Sequence, residues 1–168
     1  MLVAQTRVSK GFKDLKKRIQ KFLDDANSVQ MRAGFVSPDH YPSGESIASV
    51  AAKQEFGGIS SDFQKTVPPR PFMRPTIASE KGKWINLFKE FLLESKSSAR
   101  GRVNFENSFG RLGSVVANDI RNTIKGVFEP PLAPYTIEQR RMHDNESDKP
   151  LIDTGTMLNA VSYVVEKR

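Results

Sequence analysis

Residues 149–168 read KPLIDTGTMLNAVSYVVEKR, and the fold turns on how Asp153-Thr154-Gly155 is taken. After two apolar residues, that tripeptide is also the spelling of an aspartic-protease catalytic loop. Such a loop needs two carboxylates facing each other, so that one holds the proton the other has lost. A symmetric dimer could supply the second carboxylate. The loop must still lie in β-structure, with a further apolar strand and a covering flap. Only thirteen residues follow Gly155, and helical patterning dominates what precedes it. The remaining reading is a helix start, in which Asp153 or Thr154 accepts hydrogen bonds from the first free amides of a short helix. The chain then continues as a strand, with Val161, Tyr163 and Val165 alternating against Ser162, Val164 and Glu166.

Two long helices are expected upstream. From about Glu80 to Ser97, Trp84, Leu87, Phe88, Phe91 and Leu92 recur at i, i+3, i+4, i+7 and i+8. From about Phe105 to Val127, Phe109, Leu112, Val116, Ile120, Ile124 and Val127 do the same, with SKSSARGR (95–102) between them. Earlier still, Ile47, Val50, Ala51 and Gln54 share one face of a helix that ends at Gly57, where a positive φ is wanted. MRAGFVS (31–37) alternates as a short strand, and PDHYPSGE (38–45) is a loop. FEPPLAPYTIEQRRMHDNESDKP (128–150) holds a short helical piece after Thr136 and then becomes polar enough to read as a mobile surface loop. The sum is an α+β protein: a small antiparallel sheet packed against two or three amphipathic helices. A basic N-terminal helix or arm occupies residues 1–30. Residues 31–168 form a single domain with an extended arm at 66–76 and a mobile loop at 143–149.

The chain has 168 residues, a net charge of +7 and no cysteine. That length suits one domain with a core, or one domain plus arms. Without cysteine, disulfides, thiolate catalysis and cysteine-ligated zinc are excluded. No run approaches the roughly 18 apolar residues of a membrane span. The opening MLVAQTRVSKGF lacks the apolar core of a secretory signal, so cytoplasmic synthesis is expected. The positive charge is concentrated in residues 1–30, where seven basic residues face three acidic ones. Phe12, Leu15, Ile19, Phe22, Leu23 and Ala26 fall at helical spacing there, with the basic residues mostly on the other side. Lys10, Lys13, Lys17, Arg18 and Lys21 could therefore meet DNA phosphates or an acidic partner, or simply face solvent.

Catalytic constellations are not evident. His40 and His143 are the only histidines, and neither has a second ligand at i+4. Ser37, Asp39 and His40 crowd one loop, whereas a triad converges from separate segments. KGKW (81–84) lacks the glycine-rich lead-in of a phosphate loop. Glu90 and Glu94 lie at i, i+4 on a helix, where a solvated pair is the ordinary explanation.

TVPPRPFMRP (66–75) cannot be a central strand or a helix interior, because its prolines lack amide donors and fix φ. An extended, near-polyproline segment is expected. Lys65-x-x-Pro68-x-x-Pro71 fits an SH3-type ligand, but Phe72 and Met73 would be odd in one. An ordered arm suits the residues better: Phe72 and Met73 lie on the core or on a neighbouring subunit, and Arg70 and Arg74 face outward to meet carboxylates. A proline-stiffened connection within one subunit is the alternative.

Taken in order, VAAKQEFGG (50–58), VPPRPFMRPTI (67–77) and PPLAPYTIEQRR…KPLIDTGTMLNAVSYVV (130–165) resemble the neck and tail-completion proteins of tailed double-stranded-DNA phages and prophages. The resemblance rests on Glu55-Phe56-Gly57, on Pro68 to Phe72, on Leu132 to Ile137 and on Pro150 to Leu158. It covers about half the chain; residues 1–45 match nothing in it. It implies a non-enzymatic virion component without cofactors, assembled as a hexameric ring beside connector and tail-tube or tail-terminator proteins. Packaged DNA would pass close by, and no membrane is involved. It also implies that the subunit or partner interface lies along Pro68, Pro69, Arg70, Pro71, Phe72 and Arg74, and along Leu151, Asp153, Thr154, Gly155 and Leu158. The competing reading is a basic DNA-binding protein acting through the N-terminal helix.

Overall fold

Leu112, Val116, Ile120 and Ile124 recur every four residues, and this repeat makes α4 (Phe105–Gly126) the helix around which the rest is built. The computed structural model describes residues 2–59, 66–98 and 103–168, with side chains from residue 11 onward except at 97 and 98. Lys65 and the Lys10 side chain, both singled out in the sequence, lie outside the described residues. In chain order the elements are α1 (Leu2–Asn27), β1 (Val29–Gly34), α2 (Ile47–Phe56), β2 (Gly58–Ile59) and β3 (Thr66–Val67). They are followed by α3 (Met73–Ser98), α4, α5 (Pro134–Arg141), α6 (Thr156–Ala160) and β4 (Ser162–Lys167).

Helices α3 and α4 form an antiparallel hairpin, as the pairing of their side chains shows. Trp84 Nε1 donates to Asp119 at 2.7 Å, Thr76 Oγ1 to Thr123 at 2.7 Å, and Ser108 Oγ to the Phe91 carbonyl at 3.3 Å. The Phe88 and Phe109 rings stack at 4.6 Å between those bonds. α4 starts at Asn104, whose side chain accepts from Asn107 N at 2.9 Å, an ordinary N-cap.

Against α4 lies an antiparallel ribbon of β1 and β4, in register from Val29↔Lys167 to Gly34↔Ser162. Met31 and Ala33 sit opposite Val165 and Tyr163 on one face, and Arg32 bonds Glu166 on the other. This is the period-2 segregation expected of a half-buried sheet. Arg121 on α4 fixes the start of β4 by donating to the Val161 carbonyl. A second, smaller ribbon joins β2 to β3. The protein is α+β, as its patterning indicates: among the described residues, six helices and two antiparallel two-stranded sheets.

Two expectations are corrected. α3 begins at Met73, ahead of the expected start near Glu80. Pro75 is the third residue of this helix, where its missing N–H costs nothing because that amide has no intrahelical acceptor. The proline-rich extension is therefore shorter than 66–76 and ends at Phe72. Asp153 does not start the C-terminal helix either. Its N-cap is Gly155, with φ 79°, and the residue nearest the free amides is Thr154, whose Oγ1 accepts from Thr156 N at 3.4 Å. In the segment expected as a mobile loop at 143–149, the Ser147 and Lys149 carbonyls accept hydrogen bonds from Arg140.

Candidate interaction site

A serine N-cap starts α2, with Ser46 Oγ accepting from Ser49 N at 3.1 Å, and its buried stripe is Ile47, Ala51 and Glu55. A carboxylate on the apolar face must find partners or lose its charge. Glu55 finds them at the start of α3. Its Oε2 accepts from Phe72 N at 2.7 Å and Met73 N at 2.8 Å, and its Oε1 from Arg74 N at 3.1 Å and Arg74 Nε at 2.8 Å. Pro75 has no N–H, and Thr76 N already reaches the Phe72 carbonyl at 3.3 Å. Every free amide at this helix end is thus accounted for by one side chain of another helix, and the negative charge sits at the positive end of the α3 dipole. Burial works to raise the Glu55 pKa. The Arg74 side chain and the Met73, Phe72 and Arg74 amides outweigh it, holding Glu55 below the usual carboxylate range.

Glycine is required where α2 turns into this arrangement. Gly57 has φ 78°, and a Cβ there would meet the Val67 carbonyl and the Pro69 ring at 3.1 Å. The close approach lets the Arg70 amide donate to the Gln54 carbonyl at 2.6 Å.

Arg70 is 5% exposed. Its guanidinium donates to the Pro130 carbonyl at 2.6 Å, the Pro131 carbonyl at 2.9 Å and Gln54 Oε1 at 3.5 Å. Its partners are neutral, and among the described residues no carboxylate pairs with it. Burial, with the nearby charge of Arg140, lowers its pKa from the usual arginine value. Arg140, also buried, directs one nitrogen to the Ser147, Lys149 and Ile152 carbonyls at 2.9–3.0 Å. Its Nε lies 3.3 Å from Asp153 Oδ1. Asp153 also accepts from Asn145 at 2.6 Å, so it braces a turn and does not cap a helix.

The structure therefore brings the three motif segments together and assigns their residues different places. Phe72 is 1% exposed and Leu151 is buried in the same core. Arg70 faces inward, which corrects the expectation that it faces outward; the proline carbonyls behind it supply fixed acceptors that water would otherwise provide. Arg74 does lie at the surface, paired with Glu55 and stacked over the exposed Phe56 ring at 4.8 Å. Pro69, Asp153 and Thr154 are exposed, while Pro68, Pro71, Gly155 and Leu158 are half-buried. Between α2 and α6 a cleft of about 370 Å³ opens, lined by Tyr41, Glu45, Gln54, Arg140, Asp153 and Thr154 among others. Burial raises the Tyr41 pKa, and Asp153 and Glu45 add to the effect.

Sequence reasoning did not single out Glu55, Gln54, Arg140 or Tyr41 as site residues. For Glu55 a signal existed: it follows Ile47 and Ala51 at four-residue steps, which puts a carboxylate on a buried stripe. Arg140 carried no such signal, because its acceptors are carbonyls of a loop whose path the sequence does not reveal.

On α1, Lys13, Lys17, Arg18 and Lys21 are all exposed. None of them forms an ion pair among the described residues. Among those residues, too, no helix is long and apolar enough to cross a membrane.

Fold and site together describe a small α+β protein whose buried charges brace one segment against another. No family model, curated protein or solved structure matches the chain.

Proposed function

We propose that the protein is a non-enzymatic structural component of a tailed double-stranded-DNA phage or prophage particle, forming a ring at the neck that completes the tail and joins it to the head connector. One observation carries this reading. The three short segments that resemble neck and tail-completion proteins are separate in the chain, the third lying some 60 residues beyond the second, yet Glu55, Arg70 and Arg140 join them into one braced unit. Such a unit acts as a whole, so the segments that carry the resemblance belong to one folded part of the chain. At its edge, Phe56 lies 66% exposed under Arg74, and Ile59, three residues on, is 58% exposed. An apolar and basic edge of this kind suits the repeated heterologous contact that closes a ring. In this reading the partners are its own copies, as a hexamer, with connector and tail-tube or tail-terminator proteins above and below. The protein is made in the bacterial cytoplasm and ends in the virion. An epitope-tagged copy, gold-labelled on purified particles, is expected at the head–tail junction alone. Label elsewhere, or particles without label, would refute the proposal.

A second reading, DNA binding, is favoured by Lys13, Lys17, Arg18 and Lys21, which are exposed and form no ion pair among the described residues. A DNA-binding protein of this kind would show affinity that falls steeply with salt as counterions are released. The neck reading expects the isolated chain to bind duplex DNA poorly.

A further inference from the structure

α1 carries its apolar residues on a seam that is largely uncovered among the described residues. Phe12, Leu15, Ile19, Phe22 and Leu23 are between 46% and 68% exposed. Phe12, Leu15, Ile19, Phe22 and Ala26 are spaced three, four, three and four, which is the a/d repeat of a helix that packs along another helix. A surface helix packed only on its own domain shows a broader stripe, and that stripe is buried. Beside the seam runs a groove of about 700 Å³, bounded by Phe22, Asp25, Lys96, Val103 and Phe105. The Phe22 and Phe105 rings meet edge-on at 5.2 Å along its wall.

The charges flanking the seam select the occupant. With Phe12, Ile19 and Ala26 at a and Leu15 and Phe22 at d, Arg18 and Asp25 are the g positions, and Lys16 and Leu23 the e positions. In an antiparallel pair, a layers meet d layers, g meets g, and e meets e. Placing Ile19 on the partner's Phe22 then sets Arg18 against the partner's Asp25, twice by symmetry. The aliphatic stem of Lys16 lies along the partner's Leu23. The partner's Leu15 and Phe12 run on toward Val103 and Phe105, into the groove. A parallel pair would set Arg18 against Leu23 and bring the acidic Asp24–Asp25 ends side by side. The seam is therefore complementary to itself in one direction only. It exposes on the order of 500 Å² of apolar surface per copy; with the flanking stems and the groove, two copies reach the lower range of stable interfaces, about 1,200 Å² in total.

We infer that two copies of this chain pair through their α1 helices in antiparallel orientation, with Arg18 of each facing Asp25 of the other. Lys13 and Lys17 fall on the outer positions of that pair and stay free for an anionic partner, while Lys21 lines the groove. The inference rests on the α1 face and not on the neck reading.

The test is sedimentation equilibrium on the full chain, with Ile19→Glu, Arg18→Asp and Arg18→Asp/Asp25→Arg. The wild type is expected to be a dimer at micromolar concentration. Ile19→Glu should be monomeric with unchanged far-UV circular dichroism. Arg18→Asp should weaken pairing about tenfold, and the double reversal should restore it, since only antiparallel helices bring those two positions together. The surface reversals leave the core untouched, so loss of folding cannot mimic their pattern. A chain that stays monomeric to roughly 100 μM would overturn the inference, as would an assembly that survives Ile19→Glu. A dimer indifferent to the reversal and its restoration would overturn it as well.

Discussion

The Glu55 carboxylate at the end of α2 accepts the Phe72 and Met73 amides at 2.7 and 2.8 Å, and so closes the N-terminus of α3 from outside that helix. One side chain thereby ties the Glu-Phe-Gly helix end to the Pro-Pro-Arg-Pro-Phe segment. Removing it leaves buried amides without acceptors and Arg74 without its carboxylate. Glu55→Ala is expected to cost about 3 kcal/mol in urea unfolding, and Glu55→Gln, which keeps one acceptor oxygen, about half of that.

The same contact predicts a pH dependence. The folded-state pKa of Glu55 lies below the ordinary glutamate value of 4.5, so the native state binds the proton less readily than the unfolded chain. Its stabilisation is complete above that value and is lost as pH falls through the depressed folded pKa. Urea midpoints of wild type and Glu55→Gln, followed from pH 7 to pH 3, should therefore converge on acidification. A difference that stays constant below pH 4.5 would show that Glu55 is not the group responsible.

Burial separates the proline segment into residues that hold the fold and residues that can meet a partner. Phe72→Ala and Arg70→Ala should each destabilise the chain by about 3 kcal/mol or more, the first by leaving a cavity and the second by orphaning proline carbonyls. Their loss would abolish assembly through misfolding, so they cannot report on a contact. Phe56→Ala, at an exposed position, should change stability by no more than about 0.5 kcal/mol. In the neck reading it should nonetheless reduce incorporation into particles. Mass spectrometry of purified particles, alongside a thermal melt of the variant, separates the two effects.

Gly113 tests how closely the sheet packs on α4. A Cβ at this position would fall 2.4 Å from Cδ2 and 2.7 Å from Cγ of Tyr163, so the ring or the strand must move. Gly113→Ala should therefore cost about 1–3 kcal/mol, despite the gain in helix propensity of about 1 kcal/mol. Gly113→Ala in a Tyr163→Ala background should instead be neutral or stabilising. A double-mutant cycle by urea unfolding reads the coupling directly.

Much of this arrangement was legible in particular residues. The four-residue repeat of Leu112, Val116, Ile120 and Ile124 announced the central helix, and the alternation of Val161, Tyr163 and Val165 announced β4. Gly57 marked the end of α2. What the sequence hid depends on contacts between distant segments. The start of α3 was masked by prolines that look like helix breakers, because nothing local says that Glu55 will cap Phe72 and Met73. The inward turn of Arg70 depends on the Pro130 and Pro131 carbonyls, 60 residues further on. The amphipathic pattern of α1 was plain. The three-four spacing of its apolar residues was there to be read, but only the structure shows that side largely exposed among the described residues.

The most direct test of the central claim is electron microscopy of particles made by a phage or induced prophage in which this gene is deleted. The neck reading predicts filled heads and finished tails lying unattached. Intact, infectious particles would contradict it and turn attention to DNA binding by α1.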